Sequence, residues 1–203
     1  QQWGFETRAI RAGQNHDASS GAVVTPISLA TTFVQEEPGK HRGYEYSRTG
    51  NPTRSALQDC LASLEGAAHG LAFGSGMAAE DTLLRTLSPG DHIVLGNDAY
   101  GGTYRLISAV LAPSGIEWSA ADLTDPDSLR AAMRPETKVV WAETPTNPLL
   151  TVIDLAAIAE VAHSGGAKFV VDNTFATPYL QQPLSHGADV VVHSTTKYCG
   201  GHS

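Results

Sequence analysis

The sequence predicts an α/β protein built on a mostly parallel sheet with helices on both faces. Two observations carry this prediction. From about His69 onward, short runs rich in Val, Ile and Phe alternate with stretches of helical periodicity. Those runs are continuously apolar rather than alternating in polarity, as strands buried on both faces are.

The elements follow in order. Residues 1–51 are polar and irregular, rich in Gly, Ser and Thr, and Pro26 and Pro38 interrupt any periodicity, so they read as an extended N-terminal arm. A helix opens at Pro52-Thr53. Its Leu57, Cys60, Leu61 and Leu64 recur at i, i+3, i+4 and i+7, and Gly66 stops it. The run Gly70-Leu-Ala-Phe73 precedes a helix over about 77–87, and His92-Ile-Val-Leu95 precedes one over about 103–111. Ile116-Glu-Trp118 leads to a helix over 127–133, and Val139-Val-Trp-Ala142 to one over 155–162, where Leu155, Ile158, Ala159 and Ala162 form one stripe. Phe169-Val-Val171 and Val190-Val-Val192 complete the series, so residues 52–203 form the large domain. Ligands in such folds gather at the carboxyl ends of the strands.

Composition narrows the function. The chain has 203 residues, a formal net charge of −8 and 41% hydrophobic residues, with a pI near 5.4 and a mean hydropathy of −0.14. That balance offers no basic footprint for nucleic acid or for an anionic membrane. The longest apolar runs are far too short to span a bilayer, and the start shows no signal-peptide pattern, so the expected location is cytoplasmic. Cys60 and Cys199 make no paired framework, which suits a reducing compartment, and the eight histidines lack ligand spacing, so no metal is expected. The chain opens without Met and stops at Ser203 without a closing element, which reads as part of a longer polypeptide whose C-terminal domain is absent here.

Three segments carry chemistry. Gly74-Ser-Gly-Met-Ala-Ala79 sits between an apolar run and a helix, where free N–H groups attract an anion. Alone it is equally an ordinary strand-to-helix turn. Gly74, Gly76 and Ala79 also satisfy G-x-G-x-x-A, and with Asp98 as a ribose acid they allow a nicotinamide oxidoreductase of Rossmann type. Asp172 ends a buried strand, where a desolvated carboxylate wants a cationic partner such as a pyridinium nitrogen. Lys197 lies 25 residues later in His193-Ser-Thr-Thr-Lys197, after another apolar run. A half-buried lysine there suits Schiff-base chemistry, and Ser194, Thr195 and Thr196 offer hydroxyls for a phosphate. Glycine turn, strand-end Asp and strand-end Lys, in that order, favour pyridoxal 5′-phosphate over a nicotinamide.

Six motifs then occur in one order: Tyr46-Ser-Arg48 with Asn51-Pro-Thr53, Gly74-Ser-Gly-Met-Ala78, Tyr100-Gly-Gly-Thr103, Glu143-Thr-Pro-Thr-Asn-Pro148, Val171-Asp-Asn-Thr174 and Ser194-Thr-Thr-Lys197. Together they resemble the cystathionine γ-synthase and γ-lyase family of pyridoxal-phosphate enzymes, over nearly the whole chain from about Thr7. The resemblance implies the fold of the type I, aspartate-aminotransferase-like, pyridoxal-phosphate enzymes. It makes Lys197 the Schiff-base residue and proton shuttle, and Tyr100 the residue that stacks on the cofactor ring and assists proton transfer. Asp172 pairs with the pyridine nitrogen and Thr174 lies beside it. The amides of Gly76 and Met77 and the hydroxyls of Ser194 and Thr196 bind the phosphate. Asn147 and Glu143 fall on the substrate side. Tyr46 and Arg48 reach the phosphate of a neighbouring subunit, so the resemblance implies a homo-oligomer, a homotetramer built from dimers with shared active sites. Arg suits that task because its fork of donors matches phosphate oxygens.

The implied reaction is transsulfuration on a small amino-acid substrate. Cystathionine γ-lyase, releasing cysteine, 2-oxobutanoate and ammonia by α,γ-elimination, is the first reading, and cystathionine γ-synthase the second. O-acetylhomoserine sulfhydrylase stands further off, as does methionine γ-lyase. Members of the last type have a cysteine two places after the stacking tyrosine, where this chain has Gly102.

Overall fold

The computed structural model describes residues 3–202. The chain divides into two compact units, one ending at Ala72 and the other beginning at Phe73.

The first unit contains α1 (Phe5–Arg11), the antiparallel pair β1 (Gln35–Glu37) and β2 (Lys40–His41), and α2 (Pro52–Glu65). The boundaries of α2 are those the sequence predicts. The Asn51 side chain accepts from the amides of Thr53 and Arg54, Pro52 occupies the first turn where no N–H is missed, and Gly66 closes the helix at φ 71°. Within this unit α1 packs on α2, and the Ala72 amide donates to Gln58 Oε1 at 3.0 Å. The intervening arm is extended, leaving Val23, Val24, Ile27, Leu29 and Val34 exposed.

The second unit is the expected sandwich. Five parallel strands lie in the order β4-β3-β5-β6-β7, formed by β3 (His92–Gly96), β4 (Glu117–Ala121), β5 (Thr137–Glu143), β6 (Lys168–Asp172) and β7 (Val190–Val192). Helix α3 (Gly76–Leu84) precedes β3, and between the strands run α4 (Gly101–Arg105), α5 (Pro126–Ala132), α6 (Leu155–Ser164) and α7 (Thr177–Leu180). Strand alternation sorts the core into two halves. Val94, Val140, Ala142, Phe169 and Val171 face one side with Leu129 of α5 and with Leu155, Ile158 and Ala162 of α6. Ile93, Leu95, Val139, Trp141 and Val170 face the other with Leu84 of α3 and with Leu106, Ile107 and Leu111.

Two expectations change. The run Gly70-Leu-Ala-Phe73 forms no strand. A strand needs a neighbour for its ladder, no described strand pairs with this run, and Leu71 is left 76% exposed. The predicted helix at 103–111 begins earlier, at Gly101, and widens to a π-helix at Leu106–Leu111. The wider turn lets Leu106, Ile107 and Leu111 all reach the core.

At the amino end of the sheet, buried His92 stitches three strands together. Its Nδ1 lies 2.8 Å from Thr137 Oγ1 on β5 and its Nε2 3.1 Å from Ser119 Oγ on β4. Thr137 Oγ1 already accepts the Arg134 amide. The network is therefore satisfied with the Thr137 hydroxyl donating to Nδ1 and Nε2–H donating to Ser119. Among the described residues, no helix is long and apolar enough to cross a membrane.

Candidate active site

The carboxyl ends of β5, β6 and β7 bring the predicted residues together. Glu143 and Asp172 end neighbouring strands in register, and Asp172 pairs with Val192, the last residue of β7. The chain then enters the turn carrying Ser194, Thr196 and Lys197, closed by the Lys197 amide to Ser194 O and the Gly200 amide to Thr195 O.

Helix α3 points its amino end at this turn. Ser75 caps it, accepting the Ala78 amide on Oγ at 3.0 Å and the Ala79 amide on its carbonyl. Among the described residues the amides of Gly76 and Met77 have no such protein acceptor, as an anion cradle requires. Gly76 is needed for the approach, because a Cβ there would lie 3.0 Å from Ser194 Cβ and 3.2 Å from Ser194 Cα. Opposite those amides, Lys197 Nζ donates to Ser194 Oγ at 3.1 Å and to Thr196 Oγ1 at 3.3 Å, and the two hydroxyls stand 3.2 Å apart. Lys197 is exposed rather than half-buried, since it follows the strand end by five residues and lies in the turn.

Asp172 is only 6% exposed. Burial pushes its pKa up, while hydrogen bonds from Thr174 and the nearby His193 and Lys197 pull it down. Thr174 links Asp172 to the turn. Its amide donates to Asp172 Oδ1 at 3.0 Å, and its Oγ1 accepts the Ser194 amide at 2.9 Å. Tyr100 precedes α4, and its ring lies on Gly102, where a Cβ would sit 2.2 Å from Tyr100 Cε1. Glu143 Oε2 accepts the Tyr100 amide at 2.7 Å. Burial first, and then Asp172, push the Glu143 pKa up to about 8. Asn147 is half-buried on the loop that follows β5.

Tyr46 and Arg48 belong to the first unit, where the Arg48 guanidinium stacks 4.6 Å from the Tyr46 ring centre. Asp98, the acid a dinucleotide would need, is committed elsewhere. It accepts the Thr146 hydroxyl and, at 3.4 Å, the Thr151 hydroxyl. No three His, Cys, Asp or Glu side chains are arranged to hold a metal among the described residues.

One buried pair escaped sequence reasoning. Thr103 of α4 donates to Glu80 of α3 at 2.7 Å. A signal existed, because Glu80 interrupts the apolar stripe of Met77 and Leu84 at i+3 and i+4.

These residues fit pyridoxal 5′-phosphate. Free helix amides facing two hydroxyls suit a phosphate, a lysine stands beside them, and a buried carboxyl on the adjacent strand suits a cationic ring nitrogen. A family model described as Cys/Met metabolism PLP-dependent enzyme matches residues 6–203. A protein named probable cystathionine gamma-synthase from Herpetosiphon aurantiacus is 54% identical over 99% of this chain and 63% of its own length. A cystathionine beta-lyase from Coxiella burnetii is 52% identical over 98% of this chain and 52% of its own. The crystal structure of cystathionine gamma-lyase from Lactobacillus plantarum complexed with L-serine superposes with a TM-score of 0.95 at 50% identity, covering 99% of this chain and 52% of that one. The chain thus spans about half to two thirds of the length of these relatives. With a match across all but its first five residues, the chain belongs to the family of Cys/Met metabolism PLP-dependent enzymes.

Proposed function

We propose that the protein is a transsulfuration enzyme acting at the carbon–sulfur bond of cystathionine, with α,γ-elimination to cysteine, 2-oxobutanoate and ammonia as the first reading. The observation that carries it is the gathering of Lys197, Asp172 and Tyr100 with the Gly76 helix terminus at the carboxyl ends of the strands. When bound, pyridoxal phosphate supplies an electron sink for the bond broken at the substrate α-carbon. Gly76 and Met77 amides, with Ser194 and Thr196 hydroxyls, would hold its phosphate. Asp172, oriented by Thr174, would keep its ring nitrogen protonated. Lys197 would anchor it and carry protons between the α- and γ-sides, and Tyr100 would stack on the ring and assist. Glu143 holds the Tyr100 backbone, and Asn147 would face the substrate carboxylate.

The exposed Arg48, stacked on Tyr46, suits a reach toward the phosphate of a neighbouring subunit, which makes a homo-oligomer, a homotetramer built from dimers, part of this reading. A cytoplasmic site of action fits the cysteine usage. A second reading, γ-replacement on an O-acylhomoserine by cysteine, is favoured by the Herpetosiphon relative.

The test offers the full-length protein cystathionine, or O-succinylhomoserine plus cysteine, and identifies the products. Cysteine with 2-oxobutanoate supports the first reading. Cystathionine formed from the second mixture favours γ-synthase, homocysteine with pyruvate favours β-elimination, and turnover retained by Lys197→Ala refutes the assigned machinery.

A further inference from the structure

Helix α4 is short, and Tyr100 stands at its start, 38% exposed. α4 runs directly into the π-helix at Leu106–Leu111, whose buried Leu106, Ile107 and Leu111 hold its far end in the core. Its first turn, beside the ring, is held by side chains of neighbouring elements.

Two carboxyls converge on its first turn from two layers of the fold. Glu143, at the end of β5, accepts the Tyr100 amide. Glu80, one turn into α3, accepts the Thr103 hydroxyl at 2.7 Å. Glu80 is 3% and Thr103 1% exposed. Glu80 is absent from the described ion pairs. A buried carboxyl without a cation is costly, and an apolar residue would complete the stripe of α3 at lower cost. Burial, offset in part by the Thr103 hydroxyl and reinforced by Asp172, pushes its pKa up to about 7. Protonated or not, one oxygen stays an acceptor for Thr103. Packing therefore gives no reason for a carboxyl at this position, whereas the hydrogen bond does.

We propose that Glu80 is a positioning residue for Tyr100, tying α4 through Thr103 to the same helix whose amino end cradles the phosphate. The two ends of the cofactor site are then set by one rigid element. Gly76 lies one turn before Glu80 on α3, so any rotation of α3 carries the anion cradle and the Thr103 anchor together. This inference rests on the pyridoxal-phosphate reading of the site.

The test uses the full-length protein with Glu80→Leu, Thr103→Val, the double variant and Glu80→Gln. The readouts are the visible circular-dichroism band of bound pyridoxal phosphate, cofactor Kd, and kcat against KM. Glu80→Leu and Thr103→Val should each alter the band and lower kcat by roughly tenfold, with Kd changed less than threefold because the phosphate cradle is intact. The double variant should be no worse than either single one, as expected for two halves of one bond. Glu80→Gln keeps an acceptor oxygen and should recover most of the band and of kcat. The proposal is overturned if Glu80→Leu lowers only thermal stability, with band and kcat unchanged, or if Glu80→Gln falls as far as Glu80→Leu. A wild-type protein with no visible band overturns the underlying reading and this proposal with it. A normal wild-type band that Glu80→Leu leaves untouched overturns this proposal alone.

Discussion

Replacing Gly102 by Ala should separate stability from activity. A Cβ at this position would lie 2.2 Å from Tyr100 Cε1 and 2.9 Å from Cδ1 and Cζ. Carbon atoms rest about 3.5–4.0 Å apart, so the ring must retreat by more than about 1 Å. The nearest obstruction is the Tyr100 side chain, which is partly exposed and free to swing outward. The backbone offers no resistance either, because Gly102 is not among the positive-φ glycines and Ala is the better helix former by about 1 kcal/mol. Unfolding stability should hold or rise by up to about 1 kcal/mol. Displacing a reacting or stacking group by 1 Å costs up to about a hundredfold in rate, so kcat on cystathionine should fall by roughly ten- to a hundredfold. Chemical denaturation and steady-state kinetics on the full-length variant decide it. A variant with wild-type kcat would show that the ring does not depend on the space above Gly102, and one destabilised by several kcal/mol would show that the ring is not free to swing away from it.

Three further outcomes follow from other contacts. Gly76→Ala should weaken cofactor affinity by about tenfold, because the added carbon presses on Ser194 between the two halves of the phosphate cradle; equilibrium titration of pyridoxal phosphate measures it. Burial holds the His92 pKa below its usual 6.5, so the unfolded chain binds the extra proton more readily and stability should decline as pH falls below about 6.5. His92→Asn should flatten that limb in urea midpoints taken from pH 5 to 7. Glu143 has the opposite sign. With its pKa raised to about 8, the folded state holds a proton that the unfolded state has lost, so stability should decline as pH rises from about 4.5 to about 8. Glu143→Gln should remove part of that decline in the same measurement.

The catalytic candidates were legible because each sits where local pattern changes. Asp172 and Lys197 follow apolar runs, and Gly76 opens a helix after a glycine-rich turn. The Glu80–Thr103 bond was not legible, because its partners are 23 residues apart and nothing local to either residue names the other. Tyr100 over Gly102 was legible only as a motif. The reason for the glycine is a close approach that spacing cannot show. The run at 70–73 shows the converse, an apolar stretch with strand character that forms no strand when no neighbour is present to complete its ladder.

By itself the sequence determined the alternation of strands and helices, the capping of α2 by Asn51 and Gly66, and the order of motifs that marks the family. These depend on periodicity and side-chain chemistry over a few residues. Tertiary structure alone decided the strand order β4-β3-β5-β6-β7, which sets Glu143 beside Asp172 and turns Lys197 toward the end of α3. It also decided that Glu80, Glu143 and Asp172 share one buried region, in which Asp172 raises the cost of ionising both Glu80 and Glu143 and Glu80 raises that of Glu143. Burial and charge coupling are properties of distance through the folded chain, and separation along the sequence does not contain them.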